Sequence, residues 1–419
     1  MRRAVTIVLV VWAVGLFLME GLQQVGAWAA VLLALVLVVR KGLRLEPDVR
    51  AYVRAVLALG AWQLVSPAVA LVTGAAEHWP RSGRYFQIVD TVSGAMVACI
   101  GTVGVPWLLI AGVVAGGWLA SSALGLFQSL VLWTWEPPAF LKLNTARLQE
   151  NFGTEQEPRY AAGGFLFHRL RFSHQAIAVL GPALAVLARG RVVWRRVLAG
   201  AVVCALLLAP YAAFARAALL TGFAVCVLAL LLLSHGTPRK VGLGVAAALA
   251  VMVAVTPAWR ERMGKAAGNL FGGERTLAMS VGWRLVRAHP LLGVGFGNHK
   301  PAALETQPET GITDLLATDS HNLWLTTWAE TGLVGLVLLA SVHLLLARAL
   351  VRRHREGSLA ATGALLSFGG FHILSVVHYL PFHTSVYLCF SFIWGLGLCR
   401  GSEALGLQRD EAPKGPRGL

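Results

Sequence analysis

Charge is what this sequence has least of: Asp, Glu, Lys and Arg together make up 13% of its 419 residues, about half the share of an ordinary soluble domain. That scarcity excludes a soluble globule, whose surface needs far more ionic groups. Acid is scarcer than base, with 20 Asp and Glu against 36 Lys and Arg and a formal charge of +16. In a soluble chain this surplus would point to nucleic acid; here membrane topology accounts for it, and no nucleic-acid partner is expected. Paired cysteines are also missing. Cys99, Cys204, Cys226, Cys389 and Cys399 lie in or beside apolar runs without a CxxC spacing, which argues against a disulfide framework and a zinc site.

What is present is apolar: 57% of residues are hydrophobic, gathered into runs of about 20 residues, the length that crosses a bilayer. Arg2, Arg3, the run after them and Ala27-Trp28-Ala29 together resemble a signal peptide. Cleavage after Ala29 would leave only Ala30 to Val39 before the basic residues Arg40, Lys41 and Arg44, too short to span. An uncut hairpin is expected instead, Val5 to Leu22 outward and Gly26 to Val39 back. Further spans are predicted near 54–73, 88–104, 107–133, 172–188, 197–214, 217–233, 241–256, 323–346, 359–377 and 384–399. The fold class is an all-α polytopic membrane protein of about 12 transmembrane helices, residues 1–419 forming one integral membrane domain.

Lys and Arg in the short loops orient it. With Arg2 and Arg3 in the cytoplasm, the clusters Arg40/Lys41/Arg44/Arg50, Arg189/Arg191/Arg195/Arg196, Arg239/Lys240 and Arg348/Arg352/Arg353/Arg355 fall on the same side. Both termini, including the tail 400–419, are then cytoplasmic. Two polar segments remain outside, 136–172 and 257–320. The second is long for a connector, and long ordered loops carry function. It is also basic, with Arg260, Arg262, Lys265, Arg275, Arg284, Arg287 and Lys300, so an anionic ligand is expected there.

Within that loop Leu277, Val281 and Leu285 recur at four-residue spacing while Ser280, Arg284 and Arg287 share another face. The pattern predicts an interfacial helix over Thr276–His289, anchored by Trp283 and contacting membrane lipids. Pro290 ends it, and Gly293-Val294-Gly295-Phe296-Gly297 follows. A dinucleotide site is rejected there, because no strand precedes the glycines and no helix with a ribose-binding acid follows; they are expected to turn the backbone tightly. The loop closes on Ser320-His321-Asn322, where a histidine at the outer mouth of a helix is a natural proton acceptor. His378 and His383 bracket a short outer loop and could line the same cavity. Arg216 stands where one span leaves the membrane and the next enters. A lone arginine there would only touch head groups. Together with the basic loop and His321 it makes a cationic pocket at the level of lipid phosphates.

These residues resemble the O-antigen ligase and O-antigen polymerase superfamily of bacterial envelope glycosyltransferases. The resemblance runs from about Phe172 to Val337. It rests on Arg216-x-x-x-Leu220, on Arg275 placed ahead of Pro290-Leu-Leu-Gly-Val-Gly-Phe-Gly, and on His321-Asn322 followed by Glu330-x-Gly332-x-x-Gly335. Arg171-Phe-Ser-His174-Gln175 looks like the segment that opens the sixth span in the family, although many members carry a Pro-Asn pair there.

The resemblance implies a GT-C-like membrane glycosyltransferase at the periplasmic face of the bacterial inner membrane. Its donor would be a glycan on undecaprenyl pyrophosphate and its acceptor a sugar of the lipid A core. No cofactor is implied, and no metal. The outer loops hold no Asp-x-Asp motif for Mg²⁺, so arginines, planar and permanently charged, would stabilise the departing pyrophosphate. Arg216 and Arg275 are assigned to that group, Arg284 standing in for Arg275 if the register shifts, and His321 to the acceptor as base. Asn322 or Glu330 would orient the histidine; Tyr211 and Trp324 could stack on sugar rings. An O-antigen polymerase would use the same donor and fold. A transporter is disfavoured, because it would be expected to show internal repeats or charges deep in several helices.

Overall fold

The computed structural model describes residues 1–40, 43–80, 84, 86–130, 160–166, 168–233, a few positions between 240 and 256, and 273–402. Most of the expected span 241–256, most of the first outer loop, residues 257–272 of the second and residues 403–419 of the tail lie outside the described residues. The rest is helical, with no β-strand among the described residues.

The helices are α1 (Arg2–Gly15), α2 (Glu20–Val39), α3 (Pro47–Val72), α4 (Phe86–Ile100), α5 (Trp107–Leu130), α6 (Arg169–Arg189), α7 (Val193–Ala212), α8 (Arg216–Leu233), α9 (Glu274–Ala288), α10 (His299–Glu305), α11 (Gln307–Thr310), α12 (Leu323–Arg355), α13 (Leu359–Ser375) and α14 (Thr384–Gly397). A helix falls on each expected span whose residues are described. Seven of them, α2, α3, α5, α6, α7, α8 and α12, are long and apolar enough to cross a bilayer alone. The protein is a polytopic, all-helical membrane protein.

The first hairpin turns earlier than hydropathy predicts. α1 ends at Gly15 and α2 already begins at Glu20. The reason is electrostatic: Glu20 sits in the first turn of α2, where a helix N-terminus favours an anion, and its carboxylate pairs with Arg171 of α6. Hydropathy places an acid outside a span, whereas this one starts it.

α14 lies at the centre of the bundle, with every residue from Ser385 to Gly397 buried; it packs on α4, α6 and α13. A helix apolar on all sides must be enclosed by others. α6 and α13 approach closely because Gly181 faces Gly363, where a Cβ on Gly181 would stand 2.3 Å from the Gly363 carbonyl oxygen. Small residues at crossings are how membrane helices gain contact.

At one end of the bundle Glu46, just before α3, pairs with Arg352 and Arg353 of α12 and with Arg400 after α14. This gathers part of the basic side predicted from sequence. At the opposite end stand the N-termini of α6, α8, α12 and α14 and the C-terminus of α13. There α9 has formed over the predicted segment, with Val281 and Leu285 of the expected stripe buried and Leu277 partly so, and it packs on α12.

α12 is too long for one crossing. Its 33 residues would reach about 50 Å against a hydrocarbon core of about 30 Å. It is broken at Gly332, whose φ of 67° and ψ of −171° are not helical. The break separates a short outer piece, Leu323 to Thr331, from the crossing piece below.

Candidate active site

The glycine-rich loop after α9 is docked on that break. Val294 N donates to the Ala329 carbonyl at 2.9 Å and Leu333 N to the Pro290 carbonyl at 3.0 Å. Gly293 has φ 71° and abuts the backbone of Glu330, so the glycine is required by a close backbone crossing. Phe296 N donates to Ser66 Oγ at 3.1 Å and Trp62 Nε1 to the Thr331 carbonyl at 2.9 Å, fixing both loop and broken helix to α3.

Glu330 is fully buried beneath this loop. Its Oε1 accepts from Arg84 at 3.1 Å. Glu330 therefore pairs with Arg84 rather than with His321. Buried His299 in turn bridges the Ala317 carbonyl at 3.0 Å and Ser320 Oγ at 2.8 Å, which clamps the strand of chain entering His321. Burial pushes the His299 imidazole down to about 4, so it is neutral at physiological pH.

His321 is held in a left-handed conformation, φ 52°, which non-glycine residues seldom adopt. Its backbone N–H donates to Asp319 Oδ1 at 2.6 Å, and its Nδ1 lies 3.3 Å from the same oxygen. Burial pushes the Asp319 carboxyl up, but the hydrogen bonds and charge of His321 outweigh it and the net displacement is below the ordinary value. An ionised carboxylate on Nδ1 fixes the tautomer that leaves Nε2 as the proton acceptor. Asn322 does not orient this ring. Its Oδ1 caps α12 at Leu325 N, 3.0 Å, and its Nδ2 donates to the Val376 carbonyl, 3.2 Å.

Arg216 is the first residue of α8 and Arg275 lies in the first turn of α9. Two positive helix ends and two guanidinium groups thus converge, an arrangement suited to a polyanion. Phe214, φ 49°, sets the tight turn before Arg216. Desolvation and then the charge of Arg216 lower the pKa of Arg275, as expected of two like charges brought together. Burial pushes His378, in the α13–α14 connection, well below its ordinary value, and the charges of Arg275 and His321 act on it in the same direction. Arg216, Arg275, His378 and His321 accordingly share one electropositive neighbourhood at this end of the bundle.

Residues 176–340 match the model of the O-antigen ligase family. This segment belongs to the O-antigen ligase family. Arg216, Arg275, Asp319, His321 and Glu330 fall within the O-antigen ligase segment, whereas Arg84, His174 and His378 are supplied from outside it. The family is one of membrane enzymes of glycosyltransferase type that act in O-antigen and lipopolysaccharide biosynthesis. No curated protein matches the chain.

The remaining expected site residues have partners of their own. Arg284 pairs with Glu309 at 2.6 Å on the exposed surface. Tyr211 shares a 2.8 Å hydroxyl hydrogen bond with Thr256. Trp324 stacks on His372, ring centroids 5.8 Å apart. Sequence reasoning missed Asp319, His299 and Arg84. Asp319 stands two residues before His321, close enough for local sequence to flag it; Arg84, 246 positions from Glu330, gives no local signal at all.

Proposed function

We propose that the protein is an O-antigen ligase: it transfers a glycan from undecaprenyl pyrophosphate to the lipid A core at the periplasmic face of the inner membrane, without a metal. The observation that carries this reading is the Asp319–His321 pair at the same end of the bundle as the Arg216 and Arg275 helix termini. On this reading the basic end around Glu46 is cytoplasmic and the other end periplasmic.

The core hydroxyl oxygen attacks the anomeric carbon as the bond from that carbon to the pyrophosphate oxygen breaks. Its proton passes to Nε2 of His321, while Asp319 stabilises the imidazolium that forms. Arg216 and Arg275 take up the charge that grows on the departing undecaprenyl pyrophosphate. They suit this because guanidinium forks keep their charge at any physiological pH and bind phosphate oxygens two at a time.

Deletion of the gene tests the assignment through the lipopolysaccharide ladder on a gel. A ligase mutant shows bare core while polymer accumulates on the lipid carrier, and wild-type plasmid restores the ladder. Core bearing a single repeat unit would make the protein a polymerase, and an unchanged ladder would refute both.

A further inference from the structure

α6, α13 and α14 pack on one another around polar groups that the bundle does not satisfy. His174, in the second turn of α6, is 1% exposed, and neither of its ring nitrogens has a hydrogen-bond partner. Beside it Gln175 is fully buried with both amide atoms unpartnered. Ser375, which ends α13, and Ser385, in the first turn of α14, are fully buried with unpartnered hydroxyls. The His174 ring rests against His378, centroids 4.7 Å apart, and the charge of Arg275 acts on both.

Buried polar groups are nearly always paired, and each exception calls for an explanation. In a membrane bundle the cost of leaving them bare is high. Here the exceptions cluster at the base of the cationic neighbourhood. Their chemistry is selective. Carboxamide, imidazole and hydroxyl groups both donate and accept without carrying charge, which suits sugar hydroxyl or acylamino substituents rather than a phosphate. We infer that His174, Gln175 and His378 form the subsite for the sugar directly attached to the pyrophosphate. This rests on the ligase reading above and specifies which part of its donor is recognised apart from the phosphates. Charge binds the pyrophosphate at Arg216 and Arg275; neutral hydrogen bonds read the ring between those arginines and His321.

The test compares two probes on purified full-length protein: bare undecaprenyl pyrophosphate, and the lipid-linked glycan extracted from membranes of the deletion strain. Wild type binds the glycosylated form at least ten-fold more tightly. Gln175→Leu and His378→Leu reduce that preference to less than two-fold while affinity for the bare lipid stays within two-fold of wild type, which also reports that the variants are folded. His378→Asn, which keeps a donor and an acceptor, recovers part of the preference. A wild-type protein that binds both probes equally overturns the subsite and leaves the ligase reading intact. So does a leucine variant that keeps its preference, or one that weakens on both probes in proportion. Wild type that binds neither probe overturns both readings.

Discussion

His321 Nδ1 stands 3.3 Å from Asp319 Oδ1, and the same oxygen accepts the His321 backbone N–H at 2.6 Å. One carboxylate therefore holds both the strained backbone and the ring of the histidine. His321→Ala should lower the transfer rate by about 10²- to 10⁴-fold with donor affinity nearly unchanged. Asp319→Asn offers Nδ1 an amide that can donate, which favours the tautomer with hydrogen on Nε2, and should lower the rate by up to about 10⁴-fold. Single-turnover kinetics with saturating donor separate the two steps. Full activity of His321→Ala would remove His321 as base, and full activity of Asp319→Asn would remove Asp319 as the group that orients it.

Arg216→Ala and Arg275→Ala should instead weaken the donor. Losing a charge-assisted contact of about 1.5 to 3 kcal/mol raises donor Kd by roughly 10- to 150-fold each. Lysine restores the charge without the fork and should recover only part. Arg284→Ala, which breaks an exposed pair with Glu309, should stay close to wild type. Equal losses from all three arginines would show that general basicity, not this pair, holds the donor.

The neutral buried His299 makes stability depend on pH. Above about pH 6.5 neither state binds a proton there. As pH falls, the unfolded chain takes one up while the folded chain, its imidazole pushed down to about 4, refuses it. Stability is therefore lost between about pH 6.5 and 4, by about 3 kcal/mol in all. Thermal unfolding across that range in wild type and His299→Asn is the check. The variant should be less stable at pH 7, having lost the Ser320 clamp, and its profile flatter; an equally steep profile in both would assign the slope to other groups.

Glu330 and Arg84 form a buried pair whose worth lies in both being present. Arg84→Ala leaves a fully buried carboxylate without its cation and should cost about 3 to 5 kcal/mol of stability. Arg84→Leu with Glu330→Leu removes the uncompensated charge, so the double variant should be more stable than the Arg84 single variant in detergent unfolding. A double variant as unstable as the sum of the singles would deny the pairing.

Gly332 should tolerate no side chain. An alanine would have to hold φ 67° and ψ −171° with its Cβ 2.2 Å from the Leu291 carbonyl oxygen, costing at least about 3 kcal/mol. Gly112 of α5 has open space at the Cβ position, so alanine there should be neutral or stabilising by about 0.5 to 1 kcal/mol. Expression and melting temperature of the two variants side by side decide the point.

Hydropathy and periodicity alone determined a good deal. Runs of apolar residues in lipid can satisfy their backbone only as helices, so the spans on either side of the active site, and the amphipathic helix over 274–288, are written in local sequence. So are the candidates Arg216, Arg275 and His321, because charge is rare enough in this chain for each such residue at a helix mouth to stand out. Tertiary structure decided what those residues face. The break of α12 at Gly332 exists because the glycine loop crosses its backbone there; the low helix propensity of glycine permits a break but does not place one. Glu330 reads locally as a neighbour of His321, yet its cation comes from residue 84, since a buried carboxylate is governed by whichever charge the packing brings within reach. The unpaired nitrogens of His174 are likewise invisible in sequence: whether a polar group lacks a partner depends on every helix around it.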